Sequence, residues 1–191
     1  MGKLHEAIRD FIRLFESRGV TYAILGGLAA RALGIPRPTY DVDFTISVSR
    51  NELALLVDAA EELGYTVPVA YRAGWIDQVG GMPFVKFGVA IGDRSVDIDV
   101  FLAESPYLQT VLARRRREVV ENDEDAWIVT AEDLIVLKVL SGRPRDAIDV
   151  QDVLFIQGEL DREYMRHWAK TLGVLSNLDD ALAKFDQQST E

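Results

Sequence analysis

The chain has no cysteine, two histidines and three methionines among its 191 residues. Without cysteine there is no disulfide, no thiolate zinc site and no cysteine nucleophile. His5 and His167 fall in the two terminal helical stretches, so a histidine triad or zinc site is not expected. Long apolar runs are also missing. Nothing approaches the ~20 residues that span a bilayer, and Lys138 interrupts the greasiest segment. The N-terminal residues lack the apolar core of a signal peptide; a cytoplasmic protein without membrane contact is expected. Positive charge is in deficit: 21 Lys+Arg stand against 31 Asp+Glu, a net charge of −10. That balance argues against a broad nucleic-acid footprint. Arg114-Arg115-Arg116-Arg117 is a local exception, soon followed by Glu118, Glu121, Asp123, Glu124 and Asp125. The run reads as a solvated helix end and charged loop.

What is present is an ordinary globular composition, 48% hydrophobic and 27% charged, in a length that suits one domain or a domain with a helical extension. Leu4, Ile8, Phe11, Ile12 and Phe15 recur at helical spacing, which predicts a helix over 3–18 ended by Gly19. A short buried strand over 20–25 runs into Gly26-Gly27 and a helical stretch closed by Gly34. A strand follows over 41–48, then a helix over 50–63 opened by a Ser49/Glu52 capping box. A weak extended segment is expected over 65–70 and a loop over 71–82, where Trp75 is a candidate for base stacking. Strands over 83–91 and 94–102 read as a hairpin turning at Gly92-Asp93. Pro106 opens a helix that ends in the arginine run, and 127–129 is a brief strand. Helices are expected over 131–141, 144–157, 161–172 and 177–187. A mixed sheet domain over 1–129 thus precedes a helical region over 130–191 packed on it.

The chemistry gathers in two places. Asp41-Val42-Asp43 lies in a predicted strand, where side chains at i and i+2 share a face. Two carboxylates side by side repel, and a divalent cation supplies the missing charge. Hard oxygens in small number suit Mg²⁺, which keeps waters and substrate phosphates in its shell. Asp97-Ile98-Asp99 repeats the pattern in a second strand. Gly26-Gly27 stands where a strand gives way to a helix, a corner at which backbone amides are free and a phosphate can come close. Lys138, in an apolar helix, is the cation most in need of a target; a lysine snorkelling at the helix edge is the plainer explanation. Arg145 and Asp149 at i, i+4 suit a helix-surface pair; alternatively Asp146 or Asp149 orients Lys138, or an arginine reaches a triphosphate. No Walker loop and no dinucleotide Gly-x-Gly-x-x-Gly occurs.

The order apolar strand, Gly26-Gly27, Ala29-Ala30, Gly34, Arg37-x-Thr39-x-Asp41-x-Asp43 and a later Val96-Asp97 resembles the DNA polymerase β-type nucleotidyltransferase superfamily. Asp133 to Lys138, followed by Gly142-Arg143-Pro144-Arg145-Asp146, is similar to the branch found in abortive-infection and toxin–antitoxin systems. One departure is Gly27, since the second glycine is often serine in the superfamily. The resemblance implies an α+β fold with a small mixed, mostly antiparallel sheet flanked by helices and a C-terminal helical region. It implies that Gly26, Gly27, Arg37, Thr39 and Lys138 bind the nucleotide. It also implies that Asp41, Asp43 and Asp97 ligate two Mg²⁺ ions, with Mn²⁺ as a substitute, Asp97 being favoured over Asp99. Asp41, Asp43, Asp97 and Lys138 would form the catalytic set. The implied reaction moves a nucleoside monophosphate from a nucleoside triphosphate to an acceptor hydroxyl on tRNA, protein or a small molecule, with an antitoxin as a possible partner. A non-catalytic nucleotide-binding or toxin-partner module of the same fold is the competing expectation.

Overall fold

Gly19 takes a left-handed backbone (φ 65°) at the end of helix α1 (Gly2–Ser17), and Val20 N–H donates back to Phe15 O at 2.9 Å. This glycine stop turns the chain into strand β1 (Thr21–Leu25) without a loop. The computed structural model describes residues 2–72, 77–79, 81–91, 94–120 and 123–188. Trp75 and the Gly92-Asp93 turn lie outside the described residues, as do Gly74 and Gly80 of the expected loop.

After β1 come helix α2 (Gly26–Ala32), strand β2 (Asp41–Ser47) and helix α3 (Arg50–Glu62). The capping box of α3 is formed: Glu52 N–H donates to Ser49 Oγ, and Ser49 N–H donates to Glu52 Oε2 at 2.6 Å. Residues 65–72 depart from the extended expectation. Thr66 makes a single bridge to Gly88, and the short helix α4 (Val69–Arg72) follows Pro68. Strand β3 (Asp77–Val79) falls within the expected loop and pairs with β4 (Met82–Ile91), which pairs in turn with β5 (Arg94–Leu102).

Helix α5 (Pro106–Arg114) ends inside the arginine run, and strand β6 (Arg116–Val119) forms a hairpin with β7 (Asp125–Ile128). The charged loop expected there is in part a strand. Burial alternates along Arg116–Val119 and Asp125–Ile128, a strand pattern that the density of charge hid. Helices α6 (Ala131–Ser141), α7 (Pro144–Gln157), α8 (Arg162–Thr171) and α9 (Leu175–Gln188) complete the chain.

Among the described residues the sheet has seven strands in the order β3-β4-β5-β2-β1-β7-β6. Four of its six pairings are antiparallel; β2/β5 and β1/β7 are parallel. Val42, Phe44, Ile98 and Val100 point to the face covered by α1, where Phe11 meets Phe44, Tyr65 and Phe87 with ring centroids 6.0, 5.0 and 5.2 Å apart. One apolar cluster runs from this face through α6 to Leu178 and Leu182 of α9. Because a strand alternates its faces, burying Val42 and Phe44 obliges Asp41 and Asp43 to the opposite side. Phe11→Ala should cost about 3–5 kcal/mol of unfolding free energy, read by denaturant titration.

Candidate active site

The parallel pairing of β2 with β5 sets Asp41 opposite Asp97 and Asp43 opposite Asp99. All four carboxylates therefore share one face of the sheet. Opposite Asp99 on the next strand stands Lys86, whose Nζ lies 3.0 Å from Asp99 Oδ1 and 3.5 Å from Asp97 Oδ2. Asp99 is thus tied to an internal cation. Asp97 is held more loosely, with Ser95 Oγ donating to its Oδ1 at 3.3 Å.

Asp43 takes the strongest electrostatic load. Burial first, then the charges of Asp41 and Asp99, push its carboxyl up to about 7, against an opposing pull from Arg143 and Lys138. Asp41 is oriented by Thr39, whose Oγ1 donates to Asp41 Oδ1 at 2.6 Å. Among the described residues no three carboxylate or imidazole groups are already drawn together closely enough to hold a metal ion. The donor set, hard carboxylate oxygens from adjacent strands, fits Mg²⁺ or Mn²⁺ chemistry.

Beside the acids, β1 gives way directly to α2. Gly26 has φ 67°, and a Cβ there would lie 1.9 Å from Asp43 Oδ2. At Gly27 a Cβ would meet Thr39 Oγ1 at 2.5 Å and Arg37 Nη2 at 3.1 Å. Both glycines are therefore demanded by the closeness of the carboxylate strand and the segment leading into it.

Lys138 is 4% exposed. It does not snorkel: Nζ donates to Asp146 Oδ1 at 2.9 Å and to Asp149 Oδ2 at 2.5 Å. Asp149 also accepts from Arg37, and Asp146 Oδ2 accepts from Arg143 Nε at 2.8 Å. Burial would raise Asp146, but the hydrogen bonds from Arg143 and Lys138 outweigh it and hold the carboxyl below its ordinary value. The surface pair expected between Arg145 and Asp149 is replaced: Asp149 is buried against Lys138 and Arg37, and Arg145 donates to Pro38 O at 2.9 Å.

These residues enclose a cleft of about 350 Å³ lined by Gly27, Arg37, Thr39, Asp41, Asp43, Asp97 and Lys138, with Gly26 packed against Asp43 at its edge. Tyr40, Ser95, Arg143, Arg145 and Asp146 line it as well. Tyr40, 73% exposed, and Ser95 were not foreseen. An aromatic beside Asp41 and a hydroxyl two residues before Asp97 were the available signals.

The other sequence candidates lie elsewhere. Arg114 bridges to Glu132 and Asp133, Arg116 to Glu118, and Arg117 to Glu16 and Asp125. Arg115 and Arg117 stack over Trp127. Trp168 packs on Tyr107 and His167. None of these lines the cleft.

A family model described as nucleotidyltransferase of unknown function (DUF6036) matches residues 3–186. No curated protein matches the chain in sequence. Among solved structures, ANT(2'')-Ia in complex with adenylyl-2''-tobramycin is similar at 16% identity and TM-score 0.53, covering 94% of this chain and 97% of that one. The solution structure of the same antibiotic-resistance factor gives 16% identity and TM-score 0.52 over 96% and 91%. The lincosamide antibiotic adenylyltransferase LnuA, lincomycin-bound, gives 15% and 0.53 over 79% and 96%. At such identities the likeness is one of fold.

The linkage for Asp43 has a definite sign. Its folded value of about 7 lies above the ordinary 3.8, so the folded state holds the extra proton and stability falls as pH rises from about 4 to 7. Asp43→Asn should therefore stabilise the metal-free protein at pH 8, by roughly 2 kcal/mol once cleft water screens the charges. The gain should shrink on acidification and vanish near pH 4, as followed by denaturant melts across pH.

Proposed function

The chain belongs to the nucleotidyltransferase family whose model it matches, and from that premise we propose that it transfers a nucleoside monophosphate from a Mg²⁺-bound nucleoside triphosphate to an acceptor hydroxyl. One observation carries the reading: Asp41 and Asp97 sit in register on parallel strands, Asp43 beside them, all facing one cleft against the Gly26-Gly27 corner.

In this proposal Asp41, Asp43 and Asp97 would hold a divalent metal, which would supply neutralisation of phosphate charge and polarisation of the reacting oxygens. Gly26 and Gly27 let the triphosphate approach the backbone. Thr39 keeps Asp41 in its rotamer from beside the nucleotide. Lys138 gives two of its three N–H donors to Asp146 and Asp149, leaving one for the nucleotide. Asp97 orients the attacking hydroxyl. The acceptor oxygen bonds to the α-phosphorus as the bond to the α–β bridging oxygen breaks, the hydroxyl proton passes to Asp97, and pyrophosphate leaves. Such chemistry asks a protein chiefly for position and charge neutralisation. Asp97 suits the third place better than Asp99, since Asp99 lies nearer to Lys86.

For the acceptor, a protein hydroxyl or a small molecule is favoured over tRNA. Arg114, Arg116 and Arg117 pair with carboxylates of this chain and Arg115 packs on Trp127, which offsets the positive charge of the run that an RNA backbone would follow. The net charge of −10 draws cationic acceptors. The Asp133–Asp146 stretch supports a place in a toxin–antitoxin pair.

Incubation with α-labelled nucleoside triphosphates and Mg²⁺ should move label to an acceptor. Asp41→Ala, Asp43→Ala and Asp97→Asn should each reduce transfer by about a thousandfold or more, whereas Asp99→Asn should retain measurable turnover. Full activity in both Asp41→Ala and Asp43→Ala would overturn the proposal.

A further inference from the structure

Three residues that line the cleft carry a hydroxyl, and each is held differently: Thr39, Tyr40 and Ser95. Thr39 is buried, and its Oγ1 donates to Asp41 Oδ1 at 2.6 Å, so it is committed to a carboxylate of the proposed metal site. Tyr40 is largely exposed. Ser95 is exposed as well, yet its Oγ donates to Asp97 Oδ1 at 3.3 Å. Among the described residues Ser95 is the one hydroxyl that reaches Asp97.

The strand explains this placement. Ser95, Asp97 and Asp99 stand at i, i+2 and i+4 on β5 and share the cleft face, while Val96, Ile98 and Val100 are buried on the other. Pairing with β4 fixes both groups along the strand, Ala90 opposite Ser95 and Gly88 opposite Asp97. Pairing with β2 sets Asp97 level with Asp41. Ser95 is therefore carried by the sheet, with its O–H directed at the carboxylate that orients the attacking hydroxyl in the transfer reading. The bond it makes to Asp97 is the one an incoming acceptor would have to make. At 3.3 Å that bond is long, as catalytic hydrogen bonds often are before substrate arrives. The other Asp97 oxygen, Oδ2, faces Lys86 Nζ at 3.5 Å, which leaves Oδ1 to the serine.

We propose that Ser95 is an internal acceptor: without an outside hydroxyl, the protein transfers a nucleoside monophosphate to its own Ser95 Oγ. The proposal rests on the nucleotidyl-transfer reading and deepens it by naming one acceptor. Ser95 Oγ bonds to the α-phosphorus as the bond from that phosphorus to the α–β bridging oxygen breaks. The electron pair of the broken bond leaves with pyrophosphate, and the hydroxyl proton passes to Asp97. The product is a phosphodiester between Ser95 and the nucleoside. A nucleophile held on the same chain needs no encounter, and orientation of that kind is worth a large effective concentration. The ester also removes the hydroxyl from Asp97 and leaves a nucleotide in the cleft, so self-transfer slows turnover with any outside acceptor.

The test incubates the full-length protein with ATP, GTP, CTP and UTP in Mg²⁺ and no added acceptor, followed by intact-mass and peptide-mapping mass spectrometry. The chain should gain the mass of one nucleoside monophosphate, located on Ser95. Ser95→Ala and Asp41→Ala should each lower incorporation by about a hundredfold or more, and Ser95→Thr, which keeps a hydroxyl, should be modified at residue 95. The rate per chain should be unchanged on dilution, because nucleophile and site share one chain. Modification of Tyr40 or another residue with Ser95 bare, incorporation unchanged in Ser95→Ala, or a rate that falls on dilution overturns the internal acceptor. A parallel arm adds α-labelled triphosphates with total tRNA, soluble-extract protein or a hydroxylated polyamine. Label on any of these while the wild-type chain stays unmodified sinks the internal acceptor and leaves the transfer reading standing. Label on neither the chain nor any added acceptor sinks both.

Discussion

Mutual repulsion among carboxylates on one sheet face is the constraint around which this protein is arranged. The parallel register of β2 and β5 brings Asp41, Asp43, Asp97 and Asp99 together, and no apolar packing would favour that on its own. Each nearby cation answers part of the debt. Lys86 takes Asp99 and part of Asp97; Arg143 and Lys138 act on Asp43 from a distance. Asp43 still stands above its ordinary value, through its burial first and the charges of Asp41 and Asp99 second.

The opposite side of the sheet supplies the stability that lets the acids stay. Phe11, Phe44 and Phe87 interlock there, and β2 reads Asp-Val-Asp-Phe because one parity serves that core and the other the cleft. Helix α6 shows the same division. It is apolar nearly all round, with Leu134, Ile135, Val136 and Leu137 buried, so its one lysine must find carboxylates inside the protein. Asp146 and Asp149 meet that need from α7.

Much of the fold was legible because it is written locally. Helices announced themselves by spacing, the start of α3 by Ser49/Glu52, and the end of α1 by Gly19. Misread stretches were short strands that hold their shape through a neighbouring strand rather than through their own periodicity. β3 is a strand through its pairing with β4, and β6 through β7. At the candidate site the paired aspartates were visible from i, i+2 spacing, but strand register was not, since nothing local says that Asp41 faces Asp97. The arginine run shows the same limit: Glu16, Glu132 and Asp133 are remote along the chain. For the cluster after the helix break the sequence left open whether an arginine reaches the cleft, and the nearness of Arg143 to Asp41 and Asp43 arises only from how α7 docks.

The corner at Gly27 carries a consequence for how this sequence can drift. A Cβ there would strike the Thr39 hydroxyl, and the same hydroxyl holds Asp41 in place. Enlarging residue 27 therefore pushes the Thr39 hydroxyl aside, which in turn releases the acid. The two positions form a size-exchange pair, in which a larger side chain at 27 displaces the hydroxyl at 39 and a smaller one at 39 leaves Asp41 without its donor.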